Sequence, residues 1–325
     1  MPDEPKPRPA GTLTEPMTTT TPRRKSPGIP QLAPLPDGYG PDGRSEWLDI
    51  DWSRHLRSCR VNGSRVNYIE MGEGRPLVFV HGLAGCWQNW LENIPHFARN
   101  HRVIAIDLPG FGESELPQDD ISIPGYGRFV DEFLGEIGVE RGSIVGNSMG
   151  GFIAAEVALS HPARVDKLVL VSAAGVMTVG TAQLTLATRM SRLFQAGSGR
   201  VIARRQSIVR RRRLRKMLLY GVVRHPELLQ PELVYEIVSG GGKPGFLDAF
   251  KAILDYDFSD RIPDIDRPTL IVWGRNDRIV PVGGAYRYEE LIPDARRVIF
   301  EETGHVPMIE RPALFNRVLE DFLNE

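Results

Sequence analysis

Hydrophobic residues in this chain cluster in short continuous runs. The segments 77–82 (LVFVHG), 102–110 (RVIAIDLPG), 143–147 (SIVGN), 167–172 (KLVLVS), 269–274 (TLIVWG) and 296–301 (RRVIFE) are dominated by Val, Ile and Leu. Runs that are apolar on both faces suit strands buried inside a parallel sheet. Between them the period changes. Trp87, Trp90, Leu91, Ile94 and Phe97 recur at helical spacing and predict a helix over 87–98. Further helices are predicted over 129–137, 151–160, 286–291 and 312–323. Ahead of this alternation, 58–70 reads SCRVNGSRVNYIE, two β-rich stretches around Asn62-Gly63, which is a hairpin signal.

Strand-helix alternation predicts an α/β fold with a mostly parallel sheet and helices on both faces, and ligands in such sheets bind at the carboxyl ends of the strands. One stretch breaks the alternation. Residues 176–260 contain helical patterns such as PELLQPELVYEIV and are expected to form a helical cap over those strand ends. The chain then divides into core 46–175, cap 176–260 and core 261–325. Residues 1–45 precede it, with 11 of the 26 prolines and a TTTT run; they are expected to be a disordered tail.

Composition narrows the class. The 325 residues are 41% hydrophobic and 25% charged with a formal net charge of −1, which excludes collagen-like, disulfide-scaffold and wholly disordered chains. The two cysteines, Cys59 and Cys86, sit in no metal-binding spacing, so no disulfide framework, metal or other cofactor is expected, and a reducing, cytoplasmic setting fits. The opening MPDEPKPRPAG has no apolar signal region. Residues 168–188 carry no charge over a bilayer-like length, but their many Ser, Thr and Gly residues argue against a membrane span.

Neutrality hides an asymmetry. Residues 167–226 hold 13 Lys or Arg and no acid, against 27 basic and 41 acidic residues elsewhere. Within that region 199–217 reads GRVIARRQSIVRRRRLRKM, where Val201, Ile202, Ile208, Val209, Leu214 and Met217 would form one helical stripe with cations opposite. Such a segment is either a solvated face paired with carboxylates or a surface that attracts anionic lipid or an acidic substrate. No nucleic-acid motif accompanies the charges, so no nucleic-acid partner is expected. Oligomeric state leaves no pattern here.

The chemistry concentrates after the strands. Gly146-Asn147-Ser148-Met149-Gly150 fits G-x-S-x-G between a predicted strand and a predicted helix, the context of a nucleophile elbow. Ser148 could instead merely cap that helix. A serine nucleophile needs a base, itself oriented by a carboxylate. Of seven histidines, only His81 and His305 follow strands closely enough to reach the sheet edge. His305, in Thr303-Gly304-His305, is assigned as general base, and His81 as structural support for its loop. Asp277, three residues after TLIVWG, is the orienting acid. The rival position after KLVLVS reads Ser172-Ala173-Ala174 and has no carboxylate. Backbone amides of Met149 and of Leu83, in His81-Gly82-Leu83-Ala84-Gly85, would form the oxyanion hole.

The His81-Gly82 loop, Asp107-Leu108-Pro109-Gly110-Phe111-Gly112-Glu113-Ser114, the stretch 146–151, the stretch 273–277 and Gly304-His305 stand in the order of the α/β-hydrolase family, which the chain resembles over 46–325 outside the cap. The resemblance implies the same fold, triad and oxyanion roles. Ser148 stands where haloalkane dehalogenases and epoxide hydrolases carry an aspartate, which disfavours their reactions. The stretches 146–151 and 273–278 look like those of serine carbon–carbon hydrolases of ring-fission products. The HGLAG loop is less glycine-rich than theirs, however, and Gly304-His305-Val306-Pro307-Met308 lacks the tryptophan that commonly follows their histidine. The reading is therefore an ester hydrolase acting on a small-molecule ester. Carbon–carbon hydrolysis and a non-catalytic ligand-binding member of the family remain as alternatives.

Overall fold

Eight strands form a single sheet in the computed structural model, which describes residues 38–41, 43–176 and 209–325. They are β1 (Leu56–Val61), β2 (Ser64–Met71), β3 (Arg75–Val80), β4 (His101–Ile106), β5 (Gly142–Asn147), β6 (Val165–Val171), β7 (Thr269–Gly274) and β8 (Ala295–Phe300). Their spatial order is β1-β2-β4-β3-β5-β6-β7-β8. β1 pairs antiparallel with β2 and β2 antiparallel with β4, while every pairing from β4 onward is parallel. Val61 faces Ser64 across the expected hairpin, whose turn residues Asn62 (φ 47°) and Gly63 (φ 82°) are both left-handed, as a tight turn between twisted strands demands.

Each central strand feeds two cores in strict alternation. Val78, Val80, Ile104, Ile106, Leu168, Leu170, Ile271 and Trp273 point into one, and Leu77, Phe79, Val103, Ala105, Val169, Val171, Leu270 and Val272 into the other. This is the period of a pleated strand covered on both sides. A buried side chain of this size contributes about 2 kcal/mol, whereas an exposed ion pair contributes about 0–1 kcal/mol. The two cores, more than the surface pairs, hold the sheet.

Helices cover both faces. α1 (Ile94–Phe97) lies in the second core's region, and α2 (Ile123–Glu136) and α3 (Met149–Ser160) line the first. The helix expected over 87–98 is broken. A 3₁₀ turn spans Trp87–Trp90 and only Ile94–Phe97 is α-helical. Pro95 is the reason, because its ring would clash with the carbonyl four residues back and it has no N–H to give. α2 starts six residues earlier than the expected 129, capped by the Ser122 hydroxyl, which accepts from Gly125 N–H at 3.0 Å. Gly127 lets it approach α3, since a Cβ there would stand 3.0 Å from Glu156.

Between β6 and β7 the described part of the insertion is helical: α4 (Arg212–Leu219), α5 (Pro231–Ser239) and α6 (Phe246–Asp255). It reaches the loops that follow the strands. Gly245 N–H donates to Gly110 O at 3.0 Å beyond β4, and His305 N–H donates to Val222 O at 2.8 Å beyond β8. The described part of the expected basic stripe does not share one face. Val209, Arg215 and Leu219 are buried while Met217 is 74% exposed, because residues four apart share a face and position 217 lies across from them. Arg215 satisfies its buried guanidinium on the carbonyls of Val209 (2.6 Å) and Glu227 (3.2 Å). Val201, Ile202 and Ile208 lie outside the described residues. Leu168 to Val171 belong to β6, so the uncharged stretch starts in the sheet, and no helix among the described residues is long and apolar enough to cross a membrane.

The last elements are α7 (Gly283–Leu291), the one-turn α8 (Pro307–Glu310) and α9 (Pro312–Asn324). Gly40 N–H donates to Glu310 O at 2.7 Å, Tyr39 OH donates to Glu310 Oε2 at 2.7 Å and Ser45 OH donates to Glu92 at 2.7 Å, so Tyr39, Gly40 and Ser45, within the stretch expected to be a tail, are tied to the packed molecule.

Candidate active site

From Gly142 to Ala158 every residue is buried except Ser148. β5 delivers it to the sheet edge and α3 leads away. At the junction Ser148 takes φ 57°, ψ −118°, a region that costs a non-glycine residue about 1–3 kcal/mol and persists only where its surroundings over-determine it. The surroundings here are glycines. A Cβ on Gly146 would collide with the backbone of Gly150, and one on Gly150 with the carbonyl of Val80. Ser148 N–H donates to Val171 O (2.9 Å), and Ser148 O accepts from Gly151, Phe152 and Ala174 N–H at 3.0, 3.1 and 3.0 Å. Its hydroxyl is carried on a rigid, strained turn.

The loops after β7 and β8 are joined to each other. Arg275 N–H donates to Phe300 O at 2.9 Å, Asn276 N–H to Thr303 O at 2.8 Å, and the Arg275 guanidinium to Glu301 at 3.0 and 2.9 Å. Asp277 and His305 meet on these loops, with His305 Nδ1 donating to Asp277 Oδ2 at 2.8 Å. The other carboxylate oxygen accepts from Ile279 and Val280 N–H at 2.9 and 3.0 Å, which fixes its plane. Both side chains are nearly enclosed, at 0% exposure for Asp277 and 8% for His305. With its proton on Nδ1, the ring presents Nε2 as an acceptor.

The loop after β3 lies close beside Ser148. A Cβ on Gly82 would stand 3.0 Å from Ser148 Cβ. Neither Leu83 N–H nor Met149 N–H donates to an acceptor among the described residues, so both amides are available to a ligand. His81 is fully buried. Nδ1 donates to Gly82 O at 2.7 Å, and Nε2 accepts from Leu108 N–H at 3.0 Å, which requires the neutral ring. Burial pushes its pKa down to about 4, opposed in part by the Gly82 carbonyl. It ties the Leu83 loop to the turn after β4, as the sequence reading of a structural histidine expects.

Several contributors escape sequence reasoning. Asn147 Nδ2 donates to both Val171 O (3.1 Å) and His305 O (3.2 Å), anchoring the histidine loop to the elbow strand. Asp107 accepts from Trp87 N–H, Glu113 N–H and Asn67, bracing the same region; burial raises its pKa. Glu310 is wholly buried under His305. The only clue to Asn147 is its place before Ser148; Asp107 stands in a glycine-rich turn, and Glu310 is one acid in an apolar stretch. Among the described residues no group of three or more His, Cys, Asp or Glu side chains is arranged to hold a metal ion. A cleft of about 410 Å³ lined by Ser45, Trp47, Glu92 and Asn316 contains none of the serine, histidine or acid just described.

Comparison with known proteins agrees with this geometry. The family described as the alpha/beta hydrolase fold matches residues 75–312. The 2-hydroxy-6-oxononadienedioate/2-hydroxy-6-oxononatrienedioate hydrolase of Paraburkholderia phymatum is 32% identical over 275 residues, covering 80% of this chain and 91% of its own. The crystal structure of a bacterial membrane phospholipase A superposes with a TM-score of 0.66 at 30% identity, over 83% of this chain and 85% of that one. A meta-cleavage product hydrolase gives a TM-score of 0.67 at 28% identity, over 82% and 97%. With the sheet order, the strained serine turn and the sequence match all in agreement, the chain belongs to the α/β-hydrolase family and is a hydrolase by descent.

Proposed function

We propose that the protein cleaves carboxylic esters of small molecules through an acyl-enzyme intermediate, with Ser148 as nucleophile, His305 as general base and acid, and Asp277 orienting the imidazole. The observation that carries this reading is the solitary exposure of Ser148 on a strained turn, at the sheet edge where the buried His305–Asp277 pair also arrives. His305 Nε2 takes the hydroxyl proton as Oγ attacks the acyl carbon. The Leu83 and Met149 amides hold the resulting oxyanion, each donor contributing about 3–4 kcal/mol to the barrier reduction. Collapse expels the alcohol, protonated by His305, and water repeats the sequence on the acyl-serine.

Two features support an ester over a carbon–carbon bond. An oxo-dienoate of the kind named for the Paraburkholderia relative carries carboxylates that call for a cation. Of the described arginines beside the histidine and acid loops, Arg224 is paired with Glu302 at 3.0 Å and Arg278 lies over the Tyr220 ring at 4.4 Å. The phospholipase A likeness also names an ester-cleaving activity. Carbon–carbon hydrolysis is the second reading, favoured by the names of relatives 30–32% identical. A panel of p-nitrophenyl esters of increasing acyl length, run beside a dienol ring-fission product, separates them. The ester reading expects kcat/KM for the best ester to exceed that for the dienol at least tenfold, and the reverse order would establish the second reading.

The partner proposed for the insertion is an anionic membrane surface. Arg210 to Arg213 and Lys216 are exposed and make no ion pair among the described residues, and Met217 and Tyr220 stand 74% and 59% exposed beside them. Cations next to exposed apolar groups are the combination that anionic headgroups attract. A cytoplasmic location fits the two unpaired cysteines.

A further inference from the structure

The Glu310 carboxylate has no exposed surface and lies five residues beyond His305, on α8. It accepts from the amides that flank the histidine, Gly304 N–H at 2.9 Å and Val306 N–H at 3.3 Å. It also accepts Arg224 N–H at 2.8 Å from the insertion and Tyr39 OH at 2.7 Å from the N-terminal segment. His305 N–H itself donates to Val222 O at 2.8 Å. Gly304 has no room to shift, since a Cβ there would stand 2.7 Å from Val222 O and 3.0 Å from Glu310. One carboxylate thus holds the histidine loop, the stretch of the insertion that follows α4 and the N-terminal segment together.

Tyr39 is built into this knot from several sides. Its hydroxyl accepts from His225 N–H at 2.9 Å while donating to Glu310, its ring meets the His225 ring edge-on at 5.3 Å, and the Arg311 guanidinium lies 5.4 Å over it. Arg311 in turn donates to Thr303 Oγ1 at 2.8 Å, two residues before His305. A carboxylate so enclosed is sustained only by donors that satisfy it, so each lost donor weakens the others.

We propose that Glu310 is the positioning residue for His305 and that Tyr39 makes the N-terminal segment the strap that completes it. This rests on the reading of His305 as general base. Glu310 touches no reacting atom. It acts by fixing the backbone from Gly304 to Val306, and hence the direction in which the His305 ring is presented. Burial raises the pKa of the Glu310 carboxyl group against the pull of these donors, so its ionised state depends on their staying in place.

The test uses the full chain with p-nitrophenyl butyrate, counting active serines with a fluorophosphonate so that turnover is expressed per labelled site. Glu310→Gln keeps the shape but aims an amide at N–H donors; it is expected to lower kcat at least tenfold with KM within twofold. Tyr39→Phe keeps the ring and removes only the hydroxyl, and is expected to lower kcat about threefold, again at unchanged KM. A purely structural role would lower the number of labelled sites and leave turnover per site intact. That result in both variants would overturn the proposal, and Tyr39→Phe alone decides if Glu310→Gln does not fold. His305→Ala is the reference: if it kept wild-type turnover, the triad reading itself would fall, and the positioning role with it.

Discussion

His81 shows what a single residue contributes without joining the chemistry. Its ring is neutral in the folded protein, donating to Gly82 O and accepting from Leu108 N–H, with a pKa pushed down to about 4 by burial. The unfolded chain would bind its proton near the ordinary value of about 6.5. The folded state therefore binds fewer protons. Stability is fully present above the unfolded pKa and is lost as pH falls toward the folded one, by about 2 kcal/mol between pH 7 and pH 5 from this group. His81→Gln cannot be protonated. Urea titrations at the two pH values should show the wild type losing about 2 kcal/mol more than the variant over that interval, and parallel losses would mean that His81 is charged or exposed in the folded protein. Ser148, by contrast, is held in a strained backbone conformation, at φ 57° between neighbouring positions that are buried, and the proposed nucleophilic role gives that strain a purpose.

At the scale of elements, the strands were legible because both of their faces meet a core. The alternation of Val78 and Val80 against Leu77 and Phe79 needs nothing from distant parts of the chain. Helix ends were less legible. Pro95 breaks what Trp90, Leu91 and Ile94 promise, and Gly125 and Gly127 read as breakers in a helix that Ser122 caps and α3 accommodates. The positions proposed for the triad, Ser148, Asp277 and His305, were picked out from strand ends and loop chemistry. Glu310 and Tyr39 did not, because their contact spans 271 positions and no local pattern encodes it. The basic element, α4 with the arginines before it, carries a prediction of its own. If Arg210 to Arg213 meet anionic headgroups, the protein should co-sediment with phosphatidylserine vesicles at low salt and detach at high salt, since exposed charges are screened over about 8 Å at physiological ionic strength. Reversing the four to Glu should abolish sedimentation and leave hydrolysis of a small soluble ester within twofold. Equal sedimentation of both proteins would reduce the arginines to a solvated face.

Across the whole molecule, parallel strands place their carboxyl ends on one edge, and this alone brings Leu83, Ser148, Asp277 and His305 from four separate stretches of sequence toward each other. The insertion between β6 and β7 and the N-terminal segment close on the same edge, through Gly245 to Gly110, Val222 to His305 and Tyr39 to Glu310. The sheet supplies the site, and the added segments brace it. The central claim is that this bracing serves an activated serine. A fluorophosphonate reacts quickly only with a serine whose proton a base can take. Labelling of the wild-type protein, its loss in Ser148→Ala, and a labelling rate reduced on the order of 10⁴-fold in Asp277→Asn at unchanged fold are the results predicted, the last by the loss of imidazole orientation. Persistent labelling of Ser148→Ala, or no labelling of the folded wild type, would contradict the account.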